Sequence, residues 1–266
     1  AVRARPLAVH LRHTETERSV CVRVCVCLSR HCGCVVDQLR GVIMLKVFVD
    51  LMSQPCRALI IFLTVNKIPH TVHTVALRKG QNKTPEFTKL NPMQKVPVME
   101  EDGFVLTESD AILKYLTAAY SVPDHWYPRQ PQKRARVDEY TAWHHMNTRL
   151  HASKVFITEV LIPRMTGQPV DDVKLQRALR EMDETLDKLE TMFLKEKDFL
   201  CGDDITLADL LAVCELMQPL GGGRDVLVNR PRLKEWKSRV QSALGDSFDH
   251  AHKILYRLRD KHISKL

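Results

Sequence analysis

The sequence predicts two domains in series, a small α/β domain followed by an all-helical one. Three observations carry that prediction. A β-α-β pattern fills about thirty residues from Leu45. A β-turn-β hairpin and a further helix follow it, ending near Tyr120. After Pro128 the strand signals stop and helical periodicity takes over. A chain of 266 residues is long enough for two ordinary domains. Its 44% hydrophobic and 27% charged residues are ordinary for a soluble globular protein and exclude collagen-like, coiled-coil and disordered classes. The longest apolar run, Ala58 to Val65, includes a threonine and is far too short for a membrane span.

The formal charge of +8 would suggest a nucleic-acid partner, but it is unevenly spread. Residues 1–43 carry seven arginines against Glu15, Glu17 and Asp37, so half of the excess lies there. The remaining 223 residues, at +4, are nearly balanced. The same leading segment has no lysine and no aromatic residue, yet holds five of the eight cysteines. A metal knuckle around Cys25, Cys27, His31, Cys32 and Cys34 matches no tetrahedral zinc spacing well. A transit peptide would be richer in serine and amphipathic. The reading retained is an unstructured extension, with the organised chain beginning at Met44.

From there each element has its own signal. Leu45–Asp50 is a β-rich run, followed by a helix from about Pro55 to Asn66 that is apolar on nearly all sides, as a sheet-covering helix should be. Pro55 suits a helix start, where a missing N–H costs nothing. His70–Val75 alternates as a strand and closes a parallel crossover unit. After a polar stretch, Lys95–Met99 and Phe104–Thr107 flank the turn Glu101-Asp102-Gly103. Pro97 would demote a strand unless preceded by a cis bond at the sheet edge. A helix then runs from Ser109 to about Tyr120. The order β-α-β, then β-β-α, is the thioredoxin-like arrangement. The expected boundaries are 44–121 for this domain and 128–266 for the helical one, with Ser121–Pro128 as linker.

In the second domain Leu175, Leu179, Met182, Leu186, Leu189 and Phe193 step along one face of a long helix. Thr206 and Asp209 form an N-cap with a shortened capping box. The Gly221-Gly222-Gly223 run after Pro219 ends that helix in a loop; with no preceding strand it is not a phosphate cradle. Helices near Pro231–Ala243 and Ser247–Asp260 complete the chain.

The chemistry starts at the first strand–helix turn. Ser53-Gln54-Pro55-Cys56 stands where a thioredoxin-like fold carries Cys-x-x-Cys. A serine at the first position excludes disulfide exchange. Its hydroxyl either caps the helix or donates a hydrogen bond to a thiolate brought by a ligand. Holding a thiol two units below its ordinary value of about 8.5 needs about 2.7 kcal/mol. One charge-assisted hydrogen bond and a helix N-terminus are of that order. At the second strand–helix turn, Glu108 suits an ammonium, while Ser109 and the free helix N–H groups suit a carboxylate. Val96 before a cis Pro97 would offer its N–H and C=O to an extended peptide, and Lys95 would meet a second carboxylate. A small peptide with a thiol in its middle and a carboxylate at each end has that description, and glutathione is such a peptide.

The segments "DLMSQPCRA", "KGQNKTPEF", "LNPMQKVPVM", "LTESDAILKYL", "PDHWYP", "ARVDEY" and "ITLADL" resemble the glutathione S-transferases, specifically the theta class, in the right order from Met44 to about residue 260. The resemblance implies the cytosolic glutathione transferase architecture. It gives Ser53 the thiolate-holding role. It places Gln54, Asn82, Lys95, Val96, Glu108 and Ser109 around glutathione. Arg149, expected on the first helix of the second domain, falls at the active-site mouth. Trp143 and Tyr140 either border the electrophile pocket or pack the domain interface. The implied activity is conjugation, dehalogenation or peroxide reduction of small electrophiles in detoxification, by a cytoplasmic homodimer that uses glutathione and no metal. The alternative is a non-catalytic binding or interaction module on the same fold.

Two departures stand out. Asn82 occupies a place where theta enzymes often have histidine, and the chain stops soon after its last helix, which implies a more open electrophile pocket. Other residues receive plainer readings. His144, His145 and His151 face different ways on a helix and make a poor metal site. Cys56 reads as a buried apolar residue rather than a nucleophile, and Cys201 and Cys214 as structural thiols of a reducing compartment. The Arg134/Arg136 and Arg257/Arg259 clusters lack interleaved aromatics, which argues against a nucleic-acid surface.

Overall fold

The computed structural model describes residues 45–264. The extension, transit-peptide and cysteine-knuckle readings of residues 1–43 lie outside the described residues.

The first strand, β1 (Leu45–Val49), buries Leu45, Val47 and Val49 on its alternate positions. Helix α1 (Gln54–Val65) carries it over to β2 (His70–Thr74), which pairs parallel with β1. Strand β3 (Val98–Glu101) pairs antiparallel with β1, and β4 (Phe104–Thr107) with β3, giving the order β2-β1-β3-β4. The hairpin turns at Asp102 (φ 49) and Gly103 (φ 80), the doubly left-handed pair that matches strand twist. Helix α3 (Ser109–Ala119) follows.

Three sequence expectations change here. Lys95, Val96 and Pro97 precede β3 instead of forming its start, because proline has no N–H to give the ladder. The Val96–Pro97 bond is cis, as expected. The polar stretch before it contains a helix the sequence reading missed, α2 (Pro85–Leu90), capped by Thr84 Oγ1, which accepts from the Phe87 N–H at 3.3 Å. Six residues are too few to show a period, although the Thr-Pro start was a visible signal. The segment read as linker also packs: Trp126 is buried and its indole N–H donates to Asn66 Oδ1 at 2.9 Å.

The helical half comprises α4 (Pro131–His144), α5 (Thr148–Phe156), α6 (Ile162–Thr166), α7 (Asp172–Lys188), α8 (Leu207–Leu216), α9 (Pro231–Leu244) and α10 (Asp246–Ile263). Wide π turns join α5 to α6 at Ile157–Leu161 and extend α7 through Leu189–Leu194. Arg149 therefore lies on the second helix of this half, not the first. The chain breaks at Asn147 (φ −125, ψ −92), whose side-chain amide donates to the Trp143 carbonyl and ends α4.

The α7 stripe faces inward as its spacing requires. Helix α8 is buried on every side and opens with the expected Thr206/Asp209 capping box. It is the core of this half and packs directly on α1. The glycine run is a tightly packed turn rather than an open loop. A Cβ on Gly221 would lie 2.6 Å from Leu255, and one on Gly222 2.6 Å from Val160, so only glycine lets these helices approach.

Candidate active site

The turn that presents Ser53 is built from both sides. Asp50, at the end of β1, accepts from the Met52 N–H at 2.9 Å and the Leu77 N–H at 3.0 Å with its two carboxylate oxygens. Its carbonyl accepts from the Ser53 N–H at 2.9 Å. From below, Arg57 of α1 donates through Nη1 to the carbonyls of Leu51 (2.9 Å) and Met52 (3.3 Å). Its Nη2 donates to the Cys214 carbonyl (3.0 Å) and Gln218 Oε1 (2.7 Å) on the far side of the domain boundary. The guanidinium is fully buried, so these bonds are made where competing water is excluded.

Ser53 itself occupies the N-cap position of α1 with extended backbone (φ −85, ψ 127), yet its side chain makes no capping hydrogen bond. The capping alternative is therefore not how the hydroxyl is used. Cys56, one turn on, is completely buried. Burial pushes its thiol up to about 11, outweighing the hydrogen bond it shares with Ser53. A thiol so placed stays protonated at neutral pH, which supports its apolar reading.

Gln54 reaches across the boundary, its Nε2 donating to Ser153 Oγ on α5 at 2.8 Å. Asn82 Nδ2 donates to the Gln94 carbonyl at 2.8 Å, and buried Asn91 donates to the Lys95 carbonyl at 2.8 Å. These two amides hold the bend that carries Lys95, exposed, and Val96, buried, into the cis bond. Among the described residues, the Val96 N–H and C=O enter no backbone hydrogen bond, which leaves them available to an extended ligand.

At the other turn Glu108 is exposed and held at φ 65, a left-handed value that costs a non-glycine residue about 1 kcal/mol or more. Its carbonyl accepts from the Ile112 N–H and so opens α3. Ser109 is buried at the first helical position.

From the helical half, Arg149 lies one turn before Ser153, on the same face of α5. Its Nη1 stands 4.0 Å from Oε1 of the buried Glu215. His145 is held below the usual histidine range by burial first and by Arg149 second, with Asp110 and Glu108 opposing. Trp143 packs at a tilt against Phe193, ring centroids 4.9 Å apart, and lies 6.0 Å from Tyr140, within the helical half. Contrary to the expectation that they face different ways, the His144 and His145 rings lie with centroids 4.2 Å apart; His144 donates to the Thr141 carbonyl, while His151 meets Thr185 Oγ1. Among the described residues no cluster of His, Cys, Asp and Glu could hold a metal ion.

Sequence reasoning missed Asp50, Arg57, Ser153 and Glu215. Arg57 did carry a signal, as the one charged side chain inside the apolar run of α1.

A sequence profile for the glutathione S-transferase N-terminal domain matches residues 53–119, beginning at Ser53 itself, and one for the C-terminal domain matches residues 154–243. Glutathione S-transferase theta-1 of Rattus norvegicus is 47% identical over 217 residues, spanning 81% of this chain and 90% of that protein. The chain belongs to the theta-class glutathione S-transferases. The transferase fold is equally clear in three dimensions. Human glutathione-S-transferase T1-1 in its apo form matches with a TM-score of 0.79 and 46% identity, over 81% of this chain and 91% of that one. A human theta-class transferase in complex with the glutathione conjugate of 1-menaphthyl sulfate also gives 0.79, at 43% identity over 84% and 91%. As in the sequence reading, a thioredoxin-like half precedes a helical one. Among the described residues of this transferase, no helix is long and apolar enough to cross a membrane.

Proposed function

We propose that the protein is a serine-type glutathione transferase in which Ser53 holds the glutathione sulfur as thiolate. The observation that carries this reading is a hydroxyl at the N-terminal end of α1 that makes no capping hydrogen bond to the helix backbone. Ser53 Oγ–H donates to the sulfur, and the α1 N-terminus adds favourable potential. A hydrogen bond to a charged group contributes about 1.5–3 kcal/mol and a helix end about 0.3–1. Together they meet the roughly 2.7 kcal/mol that a two-unit fall in thiol pKa requires.

The rest of the site orients the tripeptide. Val96 pairs with its backbone as an added strand. Glu108 and Ser109 take the γ-glutamyl ammonium and carboxylate, and Lys95 and Asn82 the glycyl end. Gln54 locks the Ser53 turn against α5 through Ser153. Arg149 and Trp143 border the electrophile. Sulfur then forms its bond to the electrophilic carbon while the leaving group departs with its electron pair. The physiological setting we infer is detoxification by a cytoplasmic homodimer.

The test pairs retention on immobilised glutathione with a thiol-conjugation assay, on wild type and Ser53→Ala. The variant should still be retained but lose roughly a hundredfold in turnover at neutral pH. Wild-type turnover in Ser53→Ala would overturn the role of Ser53.

A further inference from the structure

Beneath the active site lies a group that the mechanism above does not use. Glu215 sits in the last turn of α8, 1% exposed, and neither carboxylate oxygen has a hydrogen-bond partner among the described residues. Carboxylates are almost never buried without partners, because desolvation is so costly. The charged groups that face Glu215 are Arg57 from α1 and Arg149 from α5, with the Tyr140 hydroxyl from α4 and the Cys214 thiol on its own helix. The turn after α8 brings Gln218, which is neutral and bonded to Arg57. Helix α9 brings Trp236, whose N–H goes to Asp209. His252 and Tyr256 of α10 face Arg57.

The two arginines differ in their commitments. Arg57 donates four hydrogen bonds, all to neutral oxygens, and is fixed. Arg149 is one-third exposed. Among the described residues its guanidinium donates no hydrogen bond, and at 4.0 Å it is beyond hydrogen-bond reach of Glu215. It shares its helix face with Ser153, which contacts Gln54 beside Ser53, and its field reaches the ring that also feels Glu108. Arg149 is therefore a cation at the pocket whose charge is divided between the pocket and a buried anion.

We propose that Glu215 is a specificity-determining residue: when ionised it draws Arg149 inward and masks its charge, and when neutral it releases Arg149 to receive an anionic group on the electrophile. This rests on the transferase reading and goes beyond it, since it names a substrate property that the buried residue controls. Burial pushes the Glu215 carboxyl up to about 7, against the opposing pull of Arg149 and then Arg57, so the two states exchange near neutral pH. As pH falls through that value Glu215 gains its proton, and Arg149 becomes the stronger anion site.

The experiment uses two glutathione acceptors of matched reactivity, one neutral and one carrying a carboxylate or sulfonate away from the reacting carbon. The readout is the ratio of their KM values at saturating glutathione. In wild type the ratio should move roughly three- to tenfold in favour of the anionic acceptor as pH falls from about 8 to about 6. Glu215→Gln should show that preference at both pH values, and Arg149→Ala should abolish it at both. A loosened structure would weaken both acceptors together and could not sharpen the preference for one. A pH-independent ratio in wild type, or a preference that survives Arg149→Ala, overturns the proposal while leaving the transferase reading intact. Absence of conjugation with both acceptors would instead remove the reading on which it rests.

Discussion

Replacing Arg57 by lysine tests whether Ser53, the proposed thiolate-holding residue, is held from below. The guanidinium makes four hydrogen bonds of 2.7–3.3 Å in two opposed directions, toward the Leu51–Met52 turn and toward Cys214 and Gln218. An ammonium keeps the charge but is a point donor and cannot span that gap. If it serves one side, two acceptors on the other side lose their partner. At about 1.5 kcal/mol for each bond from a charged donor, the loss is about 3 kcal/mol. In urea this should appear as a lower midpoint with an unchanged slope, because the exposed surface of the two end states does not change. The second readout is specific to the site. A freed Leu51–Met52 turn lets Ser53 drift, and forfeiting half of its stabilisation raises the thiol pKa of bound glutathione by about one unit, or tenfold in thiolate at neutral pH. The ultraviolet absorbance of the thiolate, titrated in the complex, measures it directly. If stability falls by the expected amount while the thiol titrates as in wild type, Asp50 alone positions the turn and the argument for Arg57 is wrong.

Acid sensitivity should trace in part to His252, whose ring burial holds down to about 3. The unfolded chain binds a proton there below about 6.5 and the folded chain does not, so stability present above 6.5 is lost as pH falls toward 3. His252→Asn should therefore remove about 2 kcal/mol of the difference in unfolding free energy between about pH 7 and about pH 5; an equal difference in wild type and variant would contradict the assignment. Asp209 accepts from the Leu200 and Thr206 N–H groups, the Thr206 hydroxyl and the Trp236 indole, all at 2.8–2.9 Å in a fully buried site. Asp209→Ala should cost about 4 kcal/mol in thermal unfolding experiments, because it strands those donors. A loss below about 1 kcal/mol would show that α8 does not depend on its cap.

The elements that can be read from sequence are those whose signal is local. The parallel crossover shows in the alternation of Leu45–Val49 and the apolar helix that follows, and Thr206 with Asp209 announces α8 three residues at a time. Ser53 and Glu108 are equally visible, because each stands at a strand-to-helix junction where free N–H groups make an anion site. What could not be read is who partners whom across the boundary. Gln54 finds Ser153 at a separation of 99 residues, and Arg57 finds Gln218 at 161. No periodicity encodes such a pair; it exists only once α1 is packed against the helical half. Arg149 lies on α5 and not on the first helix of its half, since the break at Asn147 depends on one side-chain amide turning back on its own chain.

The bond from Arg57 to the Cys214 carbonyl has an implication for how activity is gained and lost. The same side chain grips the turn before Ser53 and the backbone of the helical core, so the turn that presents Ser53 is completed only when both halves are assembled. A newly made chain with only its first half folded would present the proposed glutathione contacts without a properly supported Ser53. A chain nicked between the halves and pulled apart would do the same. Such intermediates would be silent toward thiols instead of carelessly reactive, and catalytic competence would report that the whole molecule has been put together.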